Sequence, residues 1–257
     1  MRIIRFDNNY GRVCTGILDG EVVREIEGDI SGTYSPLPNA FRVDEVKILP
    51  PCAPTKIVCV GLNYIDHARE MKMSPPDEPL LFLKPPTAVI AHEEEIAYPN
   101  HFSSRVDYEG ELGVVIGKRA RWVNERSWRE HVLGFTCVND VTARDIQVKD
   151  VQFTRAKAFD TFAPMGPVIE TELDPADLEI TTRVNGETMQ RSRTSNLIFP
   201  VPRLLAFITR IMTLLPGDVI TTGTPAGIGP MRPGDTVEVE IEGIGVLRNT
   251  VRETEFN

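Results

Sequence analysis

Glu109-Gly110-Glu111-Leu112-Gly113-Val114-Val115-Ile116 places two carboxylates at the start of an apolar, largely β-branched run. Such residues are typical of strands, so we predict a buried strand here. Successive side chains of a strand point to opposite faces, so Glu109 and Glu111 share one face about 7 Å apart. Such a pair beside a buried strand is unfavourable unless a positive charge lies between the two carboxylates.

A third acid, Asp140, ends another apolar run, Gly134-Phe135-Thr136-Cys137-Val138-Asn139. Three carboxylates without neighbouring His or Cys predict an oxygen-only site for a hard cation such as Mg²⁺, Mn²⁺ or Ca²⁺. The alternative is a pair of solvent-facing glutamates on an edge strand. Gly110 and Gly113, which thin the strand where another group approaches closely, favour the metal site.

Length, charge and cysteine spacing restrict the class of protein. The 257 residues suit one large domain, alone or with a small appendage, and the net charge of −9 gives no basis for binding nucleic acid or an anionic membrane surface. No apolar run approaches the roughly 20 residues of a membrane span, and the first residues hold no signal-peptide core. The four cysteines lack paired Cys-x-x-Cys spacing, so we expect buried thiols and a cytoplasmic location.

Turn and proline signals divide the chain into two predicted parts. Residues 1–50 alternate short strand patterns with tight turns, and Leu18-Asp19-Gly20-Glu21 is the clearest hairpin signal. The segment Pro50-Pro51-Cys52-Ala53-Pro54 then breaks the pattern as a linker does. We therefore predict a small N-terminal β-rich module at 1–50 and a main domain at 51–257.

Hydrophobic periodicity in the main domain predicts more strands than helices. Asn63 is the predicted N-cap of the first helix, and Thr142 with Asp145 forms an approximate capping pair for the second. The absence of regular βαβ alternation predicts an α+β, mostly β fold with a mostly antiparallel or mixed sheet and peripheral helices. Strand patterns occupy 56–61, 80–84, 217–220 and 234–241, and helical patterns occupy 62–71, a segment from Thr142, and 202–215.

Polar residues after Asp140 are candidates for holding an anionic substrate. Arg144 can meet a substrate carboxylate bidentately or form a surface salt bridge with Asp145 or a glutamate. Lys157 has half-buried neighbours, so it either meets an anion or extends its ammonium group to solvent. Gln147 equally fits an ordinary exposed position on a helix.

A possible dyad and a tight turn complete the candidates. His67 and Glu70 have i, i+3 spacing, which suits a general base with its orienting carboxylate and equally suits a weak surface pair. The turn Thr221-Thr222-Gly223-Thr224-Pro225 can hold a carboxylate through backbone N–H groups and hydroxyls, or can be an ordinary Gly-Pro turn. The polar segment 62–79 is bounded by prolines and can serve as a mobile lid.

Several of these motifs occur together in the order found in a known family. On these motifs the chain resembles the fumarylacetoacetate hydrolase family, in its shorter branch of acylpyruvases, oxaloacetate decarboxylases and 2-hydroxyhepta-2,4-diene-1,7-dioate isomerases. The resemblance covers residues 55–245, and the set of motifs is highly specific although no single motif is. The motifs are Gly61-Leu62-Asn63-Tyr64 with Asp66-His67, Phe82-Leu83-Lys84-Pro85, Glu109 to Val115, Asn139 to Asp145, Ala156-Lys157 and Thr222-Gly223-Thr224-Pro225.

The resemblance implies a fold and a cofactor. The fold is the family's mixed β-sandwich roll, usually a homodimer, with the catalytic domain at 51–257. Glu109, Glu111 and Asp140 match the ligands of a divalent metal, commonly Mg²⁺ or Mn²⁺.

The resemblance also implies roles for the remaining candidates. Arg144, Lys157 and the Gly223-Thr224 turn match residues that hold the 2-oxo-carboxylate end of the substrate. His67 and Glu70 match a dyad on a lid helix that activates water, and Gln147 matches a residue near the reacting carbon.

The implied chemistry acts on a 2-oxo or 2-enol carboxylic acid through an enolate. We predict hydrolytic C–C cleavage of an acylpyruvate; the alternatives are isomerisation or decarboxylation of dienedioate or oxaloacetate substrates. A sugar-acid dehydratase and a non-enzymatic metal-dependent binder are further alternatives. Leu62 stands where some acylpyruvase-like members carry arginine, so the distal end of the substrate is not inferred from the family.

Overall fold

Strands provide most of the regular structure in this computed structural model, which describes residues 1–8, 11–30 and 32–254. Those ranges contain twenty strands and four α-helices, so the predicted α+β, mostly β fold class is confirmed. No helix in them is long and apolar enough to cross a bilayer.

The strands, in chain order, are β1 Arg2–Asp7, β2 Val13–Asp19, β3 Val22–Gly28, β4 Tyr34–Arg42, β5 Lys47–Leu49, β6 Ile57–Val60, β7 Leu81–Lys84, β8 Val89–Ile90, β9 Glu95–Tyr98, β10 Val106–Tyr108, β11 Gly110–Ile116, β12 Val132–Asn139, β13 Thr142–Ala143, β14 Ala163–Glu170, β15 Glu179–Val184, β16 Glu187–Arg193, β17 Val219–Thr221, β18 Gly229–Met231, β19 Thr236–Ile241 and β20 Gly245–Glu253. The α-helices are α1 Ile65–Glu70, α2 Arg144–Lys149, α3 Thr154–Lys157 and α4 Val201–Ile211.

Three sheets are formed by these strands. The largest has the order β4-β3-β2-β1-β14-β12-β11-β17-β6-β7, with β5 paired to β1 and β8 paired to β14. A five-stranded sheet has the order β16-β15-β19-β20-β9, and a three-stranded sheet has the order β13-β10-β18. Most pairs are antiparallel, but β17 pairs with β6, β14 with β8, and β20 with β9 in parallel, so the sheets are mixed as predicted.

The two larger sheets and α4 share one hydrophobic core. Val114 and Phe135 of the large sheet, Ile180 and Val239 of the five-stranded sheet, and Leu204 of α4 belong to one buried cluster. Burial of such side chains is the main favourable term in folding. This packing of one sheet on the other forms the β-sandwich part of the fold.

Strand β11 lies in the interior of the large sheet, between β12 and β17, and all seven of its residues are buried. A strand covered on both faces has a continuous apolar sequence, which explains the run after Glu111. A Cβ atom at Gly113 would lie 2.7 Å from Val138 Cγ2, so this close approach requires glycine. The alternative of an edge strand with solvent-facing glutamates is therefore wrong.

The N-terminal residues extend the large sheet. Strands β1 to β4 are antiparallel neighbours in chain order, and Gly20 has the positive φ of +58° that the predicted hairpin turn requires. Strand β1 also pairs with β14, with Ile3 opposite Ile169. The module at 1–50 therefore shares a sheet with the main domain, and its boundary stays a prediction.

Two predicted helix caps are wrong. Helix α1 begins at Ile65, and the Asn63 amide instead donates to the carbonyls of Phe199 and Thr222. These long-range bonds leave Asn63 unavailable as a cap.

The second predicted cap fails for a similar reason. Helix α2 begins at Arg144, after the short strand Thr142–Ala143. The Asp145 carboxylate accepts hydrogen bonds from Ser103 and Ser104 instead of closing a capping pair with Thr142. The last helix also ends earlier than predicted, at Ile211.

A buried carboxylate, Asp218, joins three segments beside β17. It accepts hydrogen bonds from the backbone N–H and hydroxyl of Thr55, from the backbone N–H and ammonium of Lys56, and from the Leu215 N–H. Burial alone would raise the pKa of Asp218, but the bonds from Lys56, Leu215 and Thr55 lower it below its ordinary value of 3.8. Asp218 therefore connects the start of β6 to the end of the α4 segment.

We predict that Asp218→Asn lowers the free energy of unfolding by about 2–4 kcal/mol at pH 7, because the amide cannot accept all these bonds and leaves Lys56 without its carboxylate. The folded-state pKa is lowered, so the contribution of Asp218 is present above the unfolded pKa and is lost as the pH falls through the folded value. The difference between variant and wild type should narrow below about pH 4.

Urea unfolding followed by tryptophan fluorescence tests this prediction. Asp177→Asn is the control, because Asp177 forms an exposed ion pair with Arg193 and its loss should leave the midpoint nearly unchanged. Equal midpoints for the Asp218 variant and wild type at pH 7 would contradict the anchoring role.

Candidate metal centre and substrate pocket

Three buried carboxylates converge where β11 and β12 meet. Glu109 precedes β11, Glu111 is its second residue, and Asp140 follows β12. Because the strands are antiparallel with Gly110 opposite Asn139, the start of one lies beside the end of the other. One carboxylate oxygen from each residue lies within 4.8 Å of the others.

Two lysines contact this acidic cluster. Lys157 Nζ, at the end of α3, lies 2.8 Å from Glu109 Oε2 and 2.6 Å from Asp140 Oδ2. Lys84 Nζ, at the end of β7, contacts Asp140 Oδ1 and donates to the Val141 carbonyl at 2.9 Å. The positive charge that the sequence requires between the acids is thus supplied in part by lysine.

Arg144, the first residue of α2, contacts the outer side of the cluster. Its guanidinium pairs with Asp107 Oδ2 at 2.8 Å and also contacts Glu109 and the Gln147 side-chain oxygen. The surface salt bridge to Asp145 that the sequence left open is not formed, because Arg144 is turned toward the pocket and Asp145 accepts from the 103–104 segment.

The pKa values of Glu109 and Glu111 are shifted in opposite directions. Burial alone would raise the pKa of Glu109, but attraction to Lys157 and Arg144 lowers it to about 2. Burial is the main cause that raises the pKa of Glu111 well above its ordinary value, and repulsion from Asp140 and Glu109 raises it further. Glu111 accepts a hydrogen bond at 2.8 Å from the Gly223 N–H, which is a neutral donor.

This environment fits a divalent cation. A buried carboxylate beside two others and bonded to a neutral donor is unfavourable as an anion, and a cation held by all three removes the repulsion. The ligand set is oxygen only, which suits Mg²⁺, Mn²⁺ or Ca²⁺. Glu109, Glu111 and Asp140 are therefore the residues that can hold such an ion.

The predicted His67–Glu70 dyad is formed at this site. His67 Nδ1 lies 2.8 Å from Glu70 Oε2, and Glu70 Oε1 accepts the Gly227 N–H at 3.0 Å. A carboxylate can only accept, so Nδ1 carries the proton and Nε2 is the basic nitrogen. His67 is nearly buried and lines the cavity described below, whereas Glu70 is exposed, so the pair lies at the border between the pocket and the surface.

A cavity of about 280 Å³ brings the candidates together. Its polar side is formed by the metal-centre residues Glu109 and Asp140 with Lys157 and Arg144, and His67, Gln147 and Thr224 also line it. The remaining lining is mostly apolar and includes Leu62, Met71, Met73, Leu80, Val148 and Phe153. The cavity therefore combines ionic groups with apolar side chains.

The Thr222-Gly223-Thr224 turn holds a carboxylate of the protein itself through a backbone N–H. Gly223 donates its N–H to Glu111, and the Thr224 hydroxyl donates to the Gly110 carbonyl at 2.9 Å. These donors bind the metal-centre segment and not the open cavity. A role for them in holding a substrate carboxylate stays a prediction.

Three contributors were not among the residues selected from the sequence. Lys84 ends an apolar strand, and Asp107 alternates with Glu109 and Glu111, so both carry a local signal. Gln190, which bonds to the same segment, lies in a polar strand with no such signal.

Two family models match this chain. The model described as fumarylacetoacetate (FAA) hydrolase C-terminal matches residues 56–252, and the model described as Rv2993c-like, N-terminal, matches residues 1–51. A relative, oxaloacetate tautomerase FAHD2A, mitochondrial, of Bos taurus, is 42% identical over 227 residues, which cover 84% of this chain and 72% of the relative.

Solved structures extend the similarity over the whole chain. The 2-hydroxyhepta-2,4-diene-1,7-dioate isomerase from Mycobacterium marinum is 42% identical, has a TM-score of 0.93 and is covered, like this chain, at 100%. The maleylpyruvate hydrolase from Sphingobium sp. SYK-6, in complex with manganese(II) and pyruvate, is 28% identical with a TM-score of 0.82, over 99% of this chain and 100% of that one. The protein whose carboxylates, dyad and pocket are described above belongs to the fumarylacetoacetate hydrolase family.

Proposed function

We propose that this protein is a divalent-metal-dependent enzyme that moves a proton on a 2-oxo or 2-enol carboxylic acid, as a keto–enol tautomerase or double-bond isomerase. The observation that carries the proposal is one cavity lined by His67, which Glu70 orients, together with Glu109 and Asp140 of the acidic cluster. The names of the bovine relative and the Mycobacterium marinum structure support proton transfer over our predicted acylpyruvate hydrolysis.

The metal would be Mg²⁺ or Mn²⁺, with Ca²⁺ compatible with the same ligand set, held by Glu109, Glu111 and Asp140. When bound, it supplies Lewis-acid stabilisation of the negative charge on the substrate's C2 oxygen. The complex of the Sphingobium hydrolase with manganese(II) and pyruvate supports a divalent metal and a 2-oxo acid as ligands.

The chain's own residues carry the proton transfer. His67 Nε2 takes a proton from substrate C3, and the imidazolium is stabilised by Glu70, whose second oxygen is fixed by Gly227. The same nitrogen returns the proton to the substrate oxygen in a tautomerase, or to a more distant carbon in an isomerase. Arg144 and Lys157 stabilise the carboxylate end of the substrate electrostatically.

Hydrolysis is the second candidate, supported by the Sphingobium hydrolase and by the ability of the same dyad to activate water. His67 would take a proton from water, and hydroxide would add to C4. The C3–C4 bond would then break to give a carboxylic acid and the enolate of pyruvate, which takes the proton from His67 at C3 to form pyruvate. The homodimer and the cytoplasmic location remain predictions of the sequence.

We predict that Glu111→Gln abolishes Mg²⁺ and Mn²⁺ binding while the protein stays folded. Removing this charge relieves repulsion from Asp140 and Glu109 and leaves no lysine or arginine without its carboxylate, since the side chain accepts from Gly223. Loss of a ligand should weaken binding by more than the roughly 10–100-fold typical of outer partners.

Titration calorimetry with urea unfolding checks this prediction. Glu25→Gln is the matched control, because Glu25 is a buried carboxylate paired with Arg12 outside the pocket and should not affect metal binding. Unchanged Mg²⁺ affinity in the Glu111 variant would remove this residue from the ligand set.

We predict that His67→Ala lowers the rate of tautomerisation by at least about 100-fold while metal affinity is retained, because the general base is lost and the three carboxylates are intact. The assay follows the enol absorbance of oxaloacetate with Mg²⁺ or Mn²⁺, and deuterium exchange at C3. His131→Ala is the control, since that histidine lies outside the cavity lining.

A substrate panel separates the alternatives. Oxaloacetate, a 2-hydroxyhepta-2,4-diene-1,7-dioate, an acylpyruvate and a 2-keto-3-deoxy sugar acid would each be tested with the metal. Release of pyruvate from the acylpyruvate without faster C3 exchange in the other substrates supports hydrolysis, and dehydration of the sugar acid supports a dehydratase. Binding of these acids without turnover of any of them would contradict an enzymatic role.

A further inference from the structure

Gln190 lies on β16 of the five-stranded sheet, yet its side chain reaches the metal-centre segment of the large sheet. The side chain is fully buried. Its Oε1 accepts the Gly110 N–H at 3.0 Å, and its Nε2 donates to Thr224 Oγ1 at 2.9 Å and to the Pro225 carbonyl at 2.8 Å. One amide therefore binds the segment between two candidate metal ligands and the turn beside them.

The hydrogen bonds close a ring. The Thr224 hydroxyl receives a hydrogen bond from Gln190 Nε2 and donates its proton to the Gly110 carbonyl at 2.9 Å. The N–H and the carbonyl of Gly110 are thus both bound, one by Gln190 and the other by Thr224. Glu109 and Glu111 flank Gly110, so this ring holds the backbone that carries their side chains.

Packing adds a steric constraint on the same residue. A Cβ atom at position 110 would lie 2.1 Å from Thr182 Oγ1 on β15 and 3.4 Å from Gln190 Oε1. The backbone at Gly110 therefore presses directly against the five-stranded sheet. Because the contact is buried, water cannot replace a lost hydrogen bond without entering the core.

We propose that Gln190 is a positioning residue for the metal centre, which fixes the backbone of Glu109 and Glu111 and orients the Thr224 hydroxyl. This role rests on the proposed function, since it presupposes that these carboxylates bind a divalent cation. Residues that hold metal ligands in place typically change metal affinity or activity by roughly 10–100-fold when removed.

The test compares two near-isosteric variants, Gln190→Met and Gln190→Glu, by Mn²⁺ binding measured with electron paramagnetic resonance and by kcat and KM for oxaloacetate tautomerisation. The Met variant keeps the volume and loses all three bonds, so we expect Mn²⁺ affinity and kcat to fall by about 10–100-fold. The Glu variant retains an acceptor for the Gly110 N–H, so we expect partial rescue of Mn²⁺ affinity.

Asn249→Ala is the matched structural control. Asn249 is a buried amide on β20 of the same sheet and donates to the carbonyls of Ala91 and Glu94, away from the pocket. We expect it to lower the urea midpoint as Gln190→Met does, with Mn²⁺ affinity unchanged.

Thr224→Val gives a second approach to the same ring, including the case in which Gln190→Met does not fold. Because Gln190 and Thr224 act on one residue, the double variant should lose less Mn²⁺ affinity than the sum of the single losses. Wild-type Mn²⁺ affinity in a folded Gln190→Met protein, or in Thr224→Val, would overturn the positioning role alone. Failure of the unmodified protein to bind Mn²⁺ would overturn both this role and the proposed function.

Discussion

Mutual repulsion among Glu109, Glu111 and Asp140 is the constraint that shapes the region around the pocket. Buried carboxylates this close are tolerated only with compensating charge, and the chain delivers that charge from separate elements. Lys84 comes from the end of β7, Arg144 from the first turn of α2 and Lys157 from the end of α3. The two short helices α2 and α3 thus place positively charged side chains beside the junction of β11 and β12.

The positive charges are distributed unevenly among the three carboxylates. Glu109 contacts Lys157 and Arg144, and Asp140 contacts Lys157 and Lys84, whereas Glu111 accepts from a backbone N–H. The cluster is therefore most unfavourable at Glu111, whose pKa is raised well above its ordinary value. A divalent cation held by the three carboxylates would relieve this repulsion, and attraction to Lys157 and Arg144 lowers the pKa of Glu109 and keeps that carboxylate ionised.

Local sequence predicted the parts of this arrangement that depend on short-range chemistry. The strand at β11 and the pairing of His67 with Glu70 follow from apolar patterning and helical spacing, and the convergence of the acids follows from strand ends. Asn63 has the composition of an N-cap, but its amide binds Phe199 and Thr222, which are remote in sequence.

Gln190 was not predicted from the sequence for the same reason as the true role of Asn63, because its hydrogen-bond partners are far away in the chain. The sequence of its strand, β16, is polar, and no neighbouring residue indicates that another sheet packs against it. Lys84 and Asp107 could have been predicted from the sequence. A lysine at the end of an apolar strand is unusual, and so is an acid that alternates with two others. The family could be identified from the motifs because their residues come from distant segments of the chain that meet in the fold.

Glu70 uses its two oxygens on two different parts of the molecule, the His67 ring and the Gly227 N–H. Gly227 has a φ of +98°, and a Cβ there would lie 2.2 Å from the Met189 carbonyl, so the loop packs directly against β16 and requires glycine at this position. Any displacement of α1 from that loop separates Glu70 from Gly227 and loosens the histidine it orients. The orientation of the histidine therefore depends on the loop around Gly227 as well as on the helix that carries it.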